Sequence, residues 1–192
     1  MDAVISAPGK ILWIGVYAVL ERPSNSFVTG VDKRVYAQVS EAPKIRFVSK
    51  QFGFDATAKF EGGKIVFESD TPAAKFVAGA ARAALAYLES KGNPLRAFVL
   101  ETFSDPAFGV KDKAGLGSSA AVTSAAVAAI LDFHGVDPLA NKDLVFKLAQ
   151  YAHADAQGGK VGSGFDIAAA VFGASSYVRF TPDSITKHPF PA

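Results

Sequence analysis

No cysteine occurs among the 192 residues. Disulfides, zinc–thiolate sites and cysteine nucleophiles are thereby excluded, and an intracellular setting is permitted. An excess of one charge is also lacking: 20 Lys and Arg stand against 18 Asp and Glu, a net charge of +2, with no basic run. That leaves no electrostatic footprint for a nucleic-acid partner. Long hydrophobic runs are missing too. The strongest candidate, around 120–131, is alanine-rich and well short of the roughly 20 apolar residues that a membrane span needs. The start, MDAVISAPGK, has an early acid, and a proline and glycine where a secretory leader would be apolar. No P-loop of the form G-x-x-x-x-G-K-[ST] is found, nor any internal repeat, low-complexity segment or linker. The expectation is a soluble, cytoplasmic protein of one domain or a little more.

What is present suffices for a sizeable core, since 49% of the residues are hydrophobic and 20% charged. The first 70 residues read as strands. KILWIGVYAVL and RVYAQVSE are rich in β-branched and aromatic residues, with ERPSNS as a turn between them. IRFVSK, FDATAKF and KIVFES follow, the last two joined across EGG as a hairpin. From Pro72 the apolar period becomes helical, with proline in the first turn and Gly92 just past the end. RAFVLETF returns to strand. A helix opening at Ser118 or Ser119 and running to about His134 comes next, then one over 141–157 with Asn141 as N-cap. FDIAAAVFG reads as a short helix and ASSYVRF as a last strand. Strands first and helices later predict an α+β fold, a mixed or antiparallel sheet with helices on one face.

Three short stretches carry chemistry. In AGLGSSAAV, Gly115 and Gly117 let the backbone approach a ligand, while Ser118 and Ser119 bring hydroxyls to a helix N-terminus that favours phosphate. A tight turn capping a buried helix is the other account of the same residues. In APGK, Lys10 opens a strongly apolar strand, either as a site cation or as an edge lysine in water. In GSGFD, Asp166 begins a helix, either as a catalytic carboxylate or as a complement to the helix dipole. Together they supply a phosphate cradle, a cation and a carboxylate, the inventory for phosphoryl transfer.

At this point SAPGKILWIGVYAVL, KAGLGSSAA and GKVGSGFDIAAAVFG resemble, in order and spacing, the three signature regions of the GHMP small-molecule kinases. Within that family the phosphomevalonate kinase branch is most resembled. Mevalonate and homoserine kinases usually carry a proline four residues before the first glycine of the middle motif, where this chain has Lys111. The resemblance implies the N-terminal half of a two-half fold, over 1–181, with a left-handed βαβ crossover and with 182–192 starting the connection to a C-terminal half in the same or another chain. It implies ATP and Mg²⁺ as cofactors and 5-phosphomevalonate as acceptor, with a mevalonate kinase, another GHMP kinase or a non-catalytic nucleotide-binding fragment as alternatives.

For the site, the resemblance implies that Gly115, Leu116, Gly117, Ser118, Ser119 and Ala120 wrap the ATP phosphates, with Ser119 also holding the metal. Asp166 is then the catalytic carboxylate and Lys10 its neighbour at the acceptor. His153 stands near the position of a metal-binding glutamate of mevalonate kinases. His153 and Gln157 lie one helical turn apart, so they line the substrate site or His153 is a buried structural residue. Lys160, Ser163 and Gly164 complete the expected substrate contacts.

Overall fold

The computed structural model describes residues 4–21, 24–108 and 115–179. Seven strands form one sheet: β1 (Val4–Ile14), β2 (Asn25–Glu41), β3 (Ile45–Ser49), β4 (Phe54–Glu61), β5 (Lys64–Phe67), β6 (Phe98–Ser104) and β7 (Ser175–Val178). Four helices accompany them: α1 (Lys75–Ser90), α2 (Ser118–Phe133), α3 (Lys142–Ala156) and α4 (Phe165–Phe172). The strand order is β1-β2-β6-β3-β4-β5, with β7 paired to β2. Only β3 and β6 run parallel, and β4, β5 and α1 form the crossover between them. The sheet is thus mixed, as the expected α+β class requires.

Alternation explains the layering. Phe47 on β3, Ala56 and Ala58 on β4, and Phe98 and Leu100 on β6 are buried, while residues between them are not. A sheet covered on one side shows this period of two. On the other face Arg46 and Asp55 form an exposed ion pair and Tyr36 stacks on Phe103 at 5.1 Å.

The helices pack over the buried face with α2 at the centre. Every residue from Ala120 to Leu131 is buried, so its alanines serve a helix enclosed on all sides rather than an amphipathic one. A β-carbon on Gly79 of α1 would stand 2.7 Å from the Ala152 carbonyl oxygen of α3. These two helices therefore cross at backbone contact, which brings His153 towards the core.

Three sequence expectations change. The strand read through KILWIGVYAVL stops at Ile14, because Gly15 takes a φ of 92° and a short 3-10 turn follows over Ala18–Leu20. The turn read as ERPSNS ends sooner, since Asn25 and Ser26 already belong to β2. That strand reaches 17 residues because β1 holds one edge while β6 and β7 share the other. Asn141 is the N-cap residue of α3, its carbonyl accepting the Val145 N–H at 3.0 Å, but its side chain makes no capping bond: its Nδ2 donates to the Asp137 carbonyl at 2.8 Å. Among the described residues no helix is long and apolar enough to cross a membrane.

Candidate active site

Lys10 lies on β1 where the register to β2 slips. Pro8 faces Arg34 and Lys10 faces Gly30, so three residues of β2 lie opposite Gly9. Such a bulge re-aims neighbouring side chains. The Lys10 backbone N–H bonds to the Leu116 carbonyl at 2.9 Å, and its Nζ donates to the Gly115 carbonyl at 2.7 Å. The ammonium also stands 5.4 Å from the centre of the Phe165 ring. β1 is thus laced to the loop entering α2.

Both helices that bear the serine and the aspartate begin in the same way. Gly117 precedes α2 with φ 76° and Gly164 precedes α4 with φ 78°, and neither helix has a side-chain cap. Left-handed backbone excludes most side chains, and a glycine at the cap contributes no side chain to the first N–H groups of the helix. The two ends meet. A β-carbon on Gly117 would stand 3.1 Å from Lys10 Cγ and 3.7 Å from Asp166 Cβ, so Gly117 sits between the lysine and the carboxylate. Asp166 Oδ1 accepts the Ile167 N–H at 3.0 Å. Lys10 and Asp166 thus both lie beside Gly117, but the lysine bonds to a carbonyl of the α2 loop and the two are not joined as an ion pair.

His153 reaches the same place from α3. Its Nε2 lies 3.1 Å from Ser119 Oγ, and its ring stacks on Phe76 of α1 at 5.3 Å. Burial pushes its pKa below the usual histidine value, while the Asp166 charge pulls the other way and Lys75 adds to the fall. The ring is therefore neutral at pH 7, and its tautomer decides whether it donates to or accepts from Ser119. Gln157 Nε2 lies 3.4 Å from its other ring nitrogen.

A cavity of about 110 Å³ opens beside these groups, lined by Gln150, His153, Gln157, Ser163, Gly164 and Asp166 among others. Of the residues expected to contact substrate, His153, Gln157, Ser163 and Gly164 share this wall. Lys160 is exposed and does not line it. Lys111 lies outside the described residues.

Gly115 has φ 66°, and among the described residues a β-carbon there would meet nothing within 4 Å. Among the described residues no group of three His, Asp or Glu side chains could hold a metal ion. Mg²⁺ is usually held by one or two carboxylates and completes its shell with substrate phosphates and water; Asp166 is the carboxylate that lines the cavity, and the Ser119 hydroxyl lies 3.1 Å from His153 Nε2.

Sequence reasoning missed Gln150 and Tyr177, both buried. Gln150 Nε2 donates to the Gly164 carbonyl at 3.1 Å and Tyr177 Oη to the Ser163 carbonyl at 2.6 Å. A signal for Gln150 existed, because it interrupts a stretch of α3 otherwise turned to the core. Tyr177 gave none, since its contact depends on β7 pairing with β2.

Known proteins resemble this chain in sequence and in fold. The chain is 29% identical to the peroxisomal phosphomevalonate kinase of Arabidopsis thaliana, over 97% of this chain and 52% of that protein. It is 31% identical to the phosphomevalonate kinase of Candida albicans, over 95% of this chain and 49% of that one. Its fold matches that of the Streptococcus pneumoniae phosphomevalonate kinase solved with phosphomevalonate and AMPPNP, at a TM-score of 0.75 and 21% identity, over 97% of this chain and 52% of the other. The chain thus spans about half the length of the relatives it matches. Residues 75–174, just over half of the chain, match the family model described as the GHMP kinases N terminal domain, and the chain belongs to that family.

Proposed function

We propose that this chain is the ATP-binding half, over 1–181, of a cytoplasmic phosphomevalonate kinase, which transfers the γ-phosphoryl group of ATP to 5-phosphomevalonate. The observation that carries the reading is the meeting of two uncapped, glycine-led helix ends around Lys10 and Asp166. One end with its serines suits the phosphates of a nucleotide, and the other presents a carboxylate. The names of the curated relatives point to the same acceptor. ATP supplies the phosphoryl group, and Mg²⁺, held through Ser119, supplies neutralising charge. Gly115, Leu116, Gly117, Ser118, Ser119 and Ala120 direct backbone N–H groups at the phosphates. Lys10 stands at the junction, where positive charge would stabilise the transferring group.

An acceptor that is itself a phosphate monoester has a second pKa near 6 and is mostly dianionic at pH 7. It therefore arrives as a competent nucleophile, and Asp166 chiefly orients it and Lys10. His153, Gln157, Ser163 and Gly164 form the wall against which it lies, with Lys160 reaching its phosphate from outside.

The proposal includes a C-terminal half, in the same or another chain, joined through 182–192, which lie outside the described residues. Support comes from the exposed Trp13, Ile14, Val16, Tyr17 and Leu20 at the end of β1 and in the turn after it, an apolar surface of the kind that partners cover. The test is phosphoryl transfer by a form of the protein carrying both halves, with 5-phosphomevalonate and mevalonate offered separately. Turnover with the phosphorylated acceptor alone is expected; preference for mevalonate would replace the reading with that of an alcohol kinase.

A further inference from the structure

α3 lays Leu144, Leu148, Ala149 and Ala152 on the core. Two polar side chains share its buried surface, Gln150 at 6% and His153 at 9% exposure. Burying such groups is costly unless they are bonded, and each makes a contact that leads out of the helix towards one of the two glycine turns. Gln150 Nε2 donates to the Gly164 carbonyl, two residues before Asp166, at 3.1 Å. His153 Nε2 lies 3.1 Å from Ser119 Oγ at the start of α2. Residues three apart on a helix are neighbours on one face. Adjacent positions on one rigid element therefore hold two loops that approach from different directions.

The turn before Asp166 is gripped from a second side. Tyr177 of β7, 7% exposed, donates its hydroxyl to the Ser163 carbonyl at 2.6 Å. The Gly164 carbonyl also accepts the Ala168 N–H at 3.0 Å, so one oxygen is shared between α3 and the first turn of α4. Gly164 fits between its two holders: a β-carbon there would stand 2.6 Å from Tyr177 Oη and 2.9 Å from Gln150 Oε1.

We propose, resting on the kinase reading above, that α3 gauges the distance between the nucleotide loop and the catalytic turn. Gln150, with Tyr177, positions Asp166, and His153 positions Ser119. Reacting groups held in near-attack geometry lose about 10²-fold in rate for a displacement of about 1 Å, so releasing either loop separates the phosphate from its acceptor without unfolding the chain.

The experiment uses shape-preserving variants in the enzyme carrying both halves: Gln150→Met, Tyr177→Phe and His153→Phe. Rates and KM values for ATP and 5-phosphomevalonate are measured, with hydrogen exchange of the amides at 163–168 as a readout free of activity. Gln150→Met and Tyr177→Phe are expected to lower kcat by about 10- to 10²-fold with KM for ATP unchanged. Exchange at Asp166 and Ile167 should quicken by up to about tenfold, the worth of one hydrogen bond. His153→Phe should instead raise KM for ATP and leave exchange at 163–168 as it was. A fall in melting temperature with kcat, KM and exchange all unchanged would make these residues merely structural and overturn the proposal. If the unaltered enzyme transfers nothing to 5-phosphomevalonate, the kinase reading fails. The exchange arm then decides alone: faster exchange at 163–168 in Gln150→Met sustains the gauge, and unchanged exchange removes it.

Discussion

Replacing Gly117 with alanine separates the conformational cost of a residue from its role in the site. Its φ of 76° places it in left-handed backbone, where an L-residue costs about 1–2 kcal/mol. The added β-carbon would stand 3.1 Å from Lys10 Cγ, 3.2 Å from Lys10 Cε and 3.7 Å from Asp166 Cβ. Its close neighbours are flexible lysine carbons that can give way, so packing adds little to the backbone term. For a chain of this size, about 1–2 kcal/mol corresponds to a fall of roughly 2–8 °C in Tm. The functional cost is larger, because the methyl group drives Lys10 from its bond to the Gly115 carbonyl and from its place beside Asp166. Misplacement of this order lowers kcat/KM by about 10²-fold. Valine is expected to do more, abolishing nucleotide binding. Gly135 provides the control, with φ 84° and nothing among the described residues within 4 Å of an added β-carbon. Gly135→Ala should cost the same stability and leave activity intact. The assay is thermal unfolding of both variants beside calorimetric ATP binding and steady-state kinetics in the enzyme with both halves. Equal activity in the two variants would refute the placement of Gly117 between lysine and carboxylate.

Three further outcomes are expected. Burial lowers the pKa of His153 and of His134, so the unfolded chain binds protons more readily below about pH 6.5. The stability these residues contribute is complete above that pH and is lost as pH falls towards the lowered folded values. The loss is at most about 1.4 kcal/mol per pH unit for each histidine, with half-buried His134 contributing less; urea midpoints that stay flat or rise between pH 6.5 and 5.5 would contradict this. Gly79→Ala places a carbon 2.7 Å from a backbone oxygen of α3, which cannot yield as a side chain does. The overpacking should cost about 1–3 kcal/mol by chemical denaturation and weaken the His153–Ser119 contact; unaltered stability would mean that the helices are not in backbone contact. Asp166→Asn, with a phosphorylated acceptor, should keep measurable turnover, its kcat/KM rising through about pH 6 and then levelling with the substrate's own ionisation. Complete loss of turnover with substrate binding intact would mark Asp166 as an obligatory base and favour an alcohol acceptor.

The motifs were legible because their chemistry is local. A glycine with positive φ followed by serines or an aspartate at a helix start can be read from a few neighbouring residues, and Gly117–Ser119 and Gly164–Asp166 lie where that pattern places them. The hairpin at 61–63 and the helix beginning near Pro72 were equally local. Less legible were the limits of the first two strands. KILWIGVYAVL has strand propensity throughout, but Gly15 turns the chain, and β2 gains its first residues only from pairing with β7 at the far end of the described chain. The grip of Gln150 and Tyr177 on the Asp166 turn was illegible for the same reason, because each partner lies 14 residues away, on a different element.

Sequence by itself determined the family, the two phosphate-friendly helix starts, and the lysine and aspartate that accompany them. These depend on residue type and short spacing, and backbone sterics and helix-end electrostatics act over that range. Tertiary structure decided which of these groups face one another. The Lys10 ammonium turned to the Gly115 carbonyl, and His153 turned to Ser119 while still sharing a cavity wall with Asp166. Those choices follow from a slipped register between β1 and β2 and from the close crossing of α1 and α3. They are set by packing among residues distant in sequence, which local propensity does not encode.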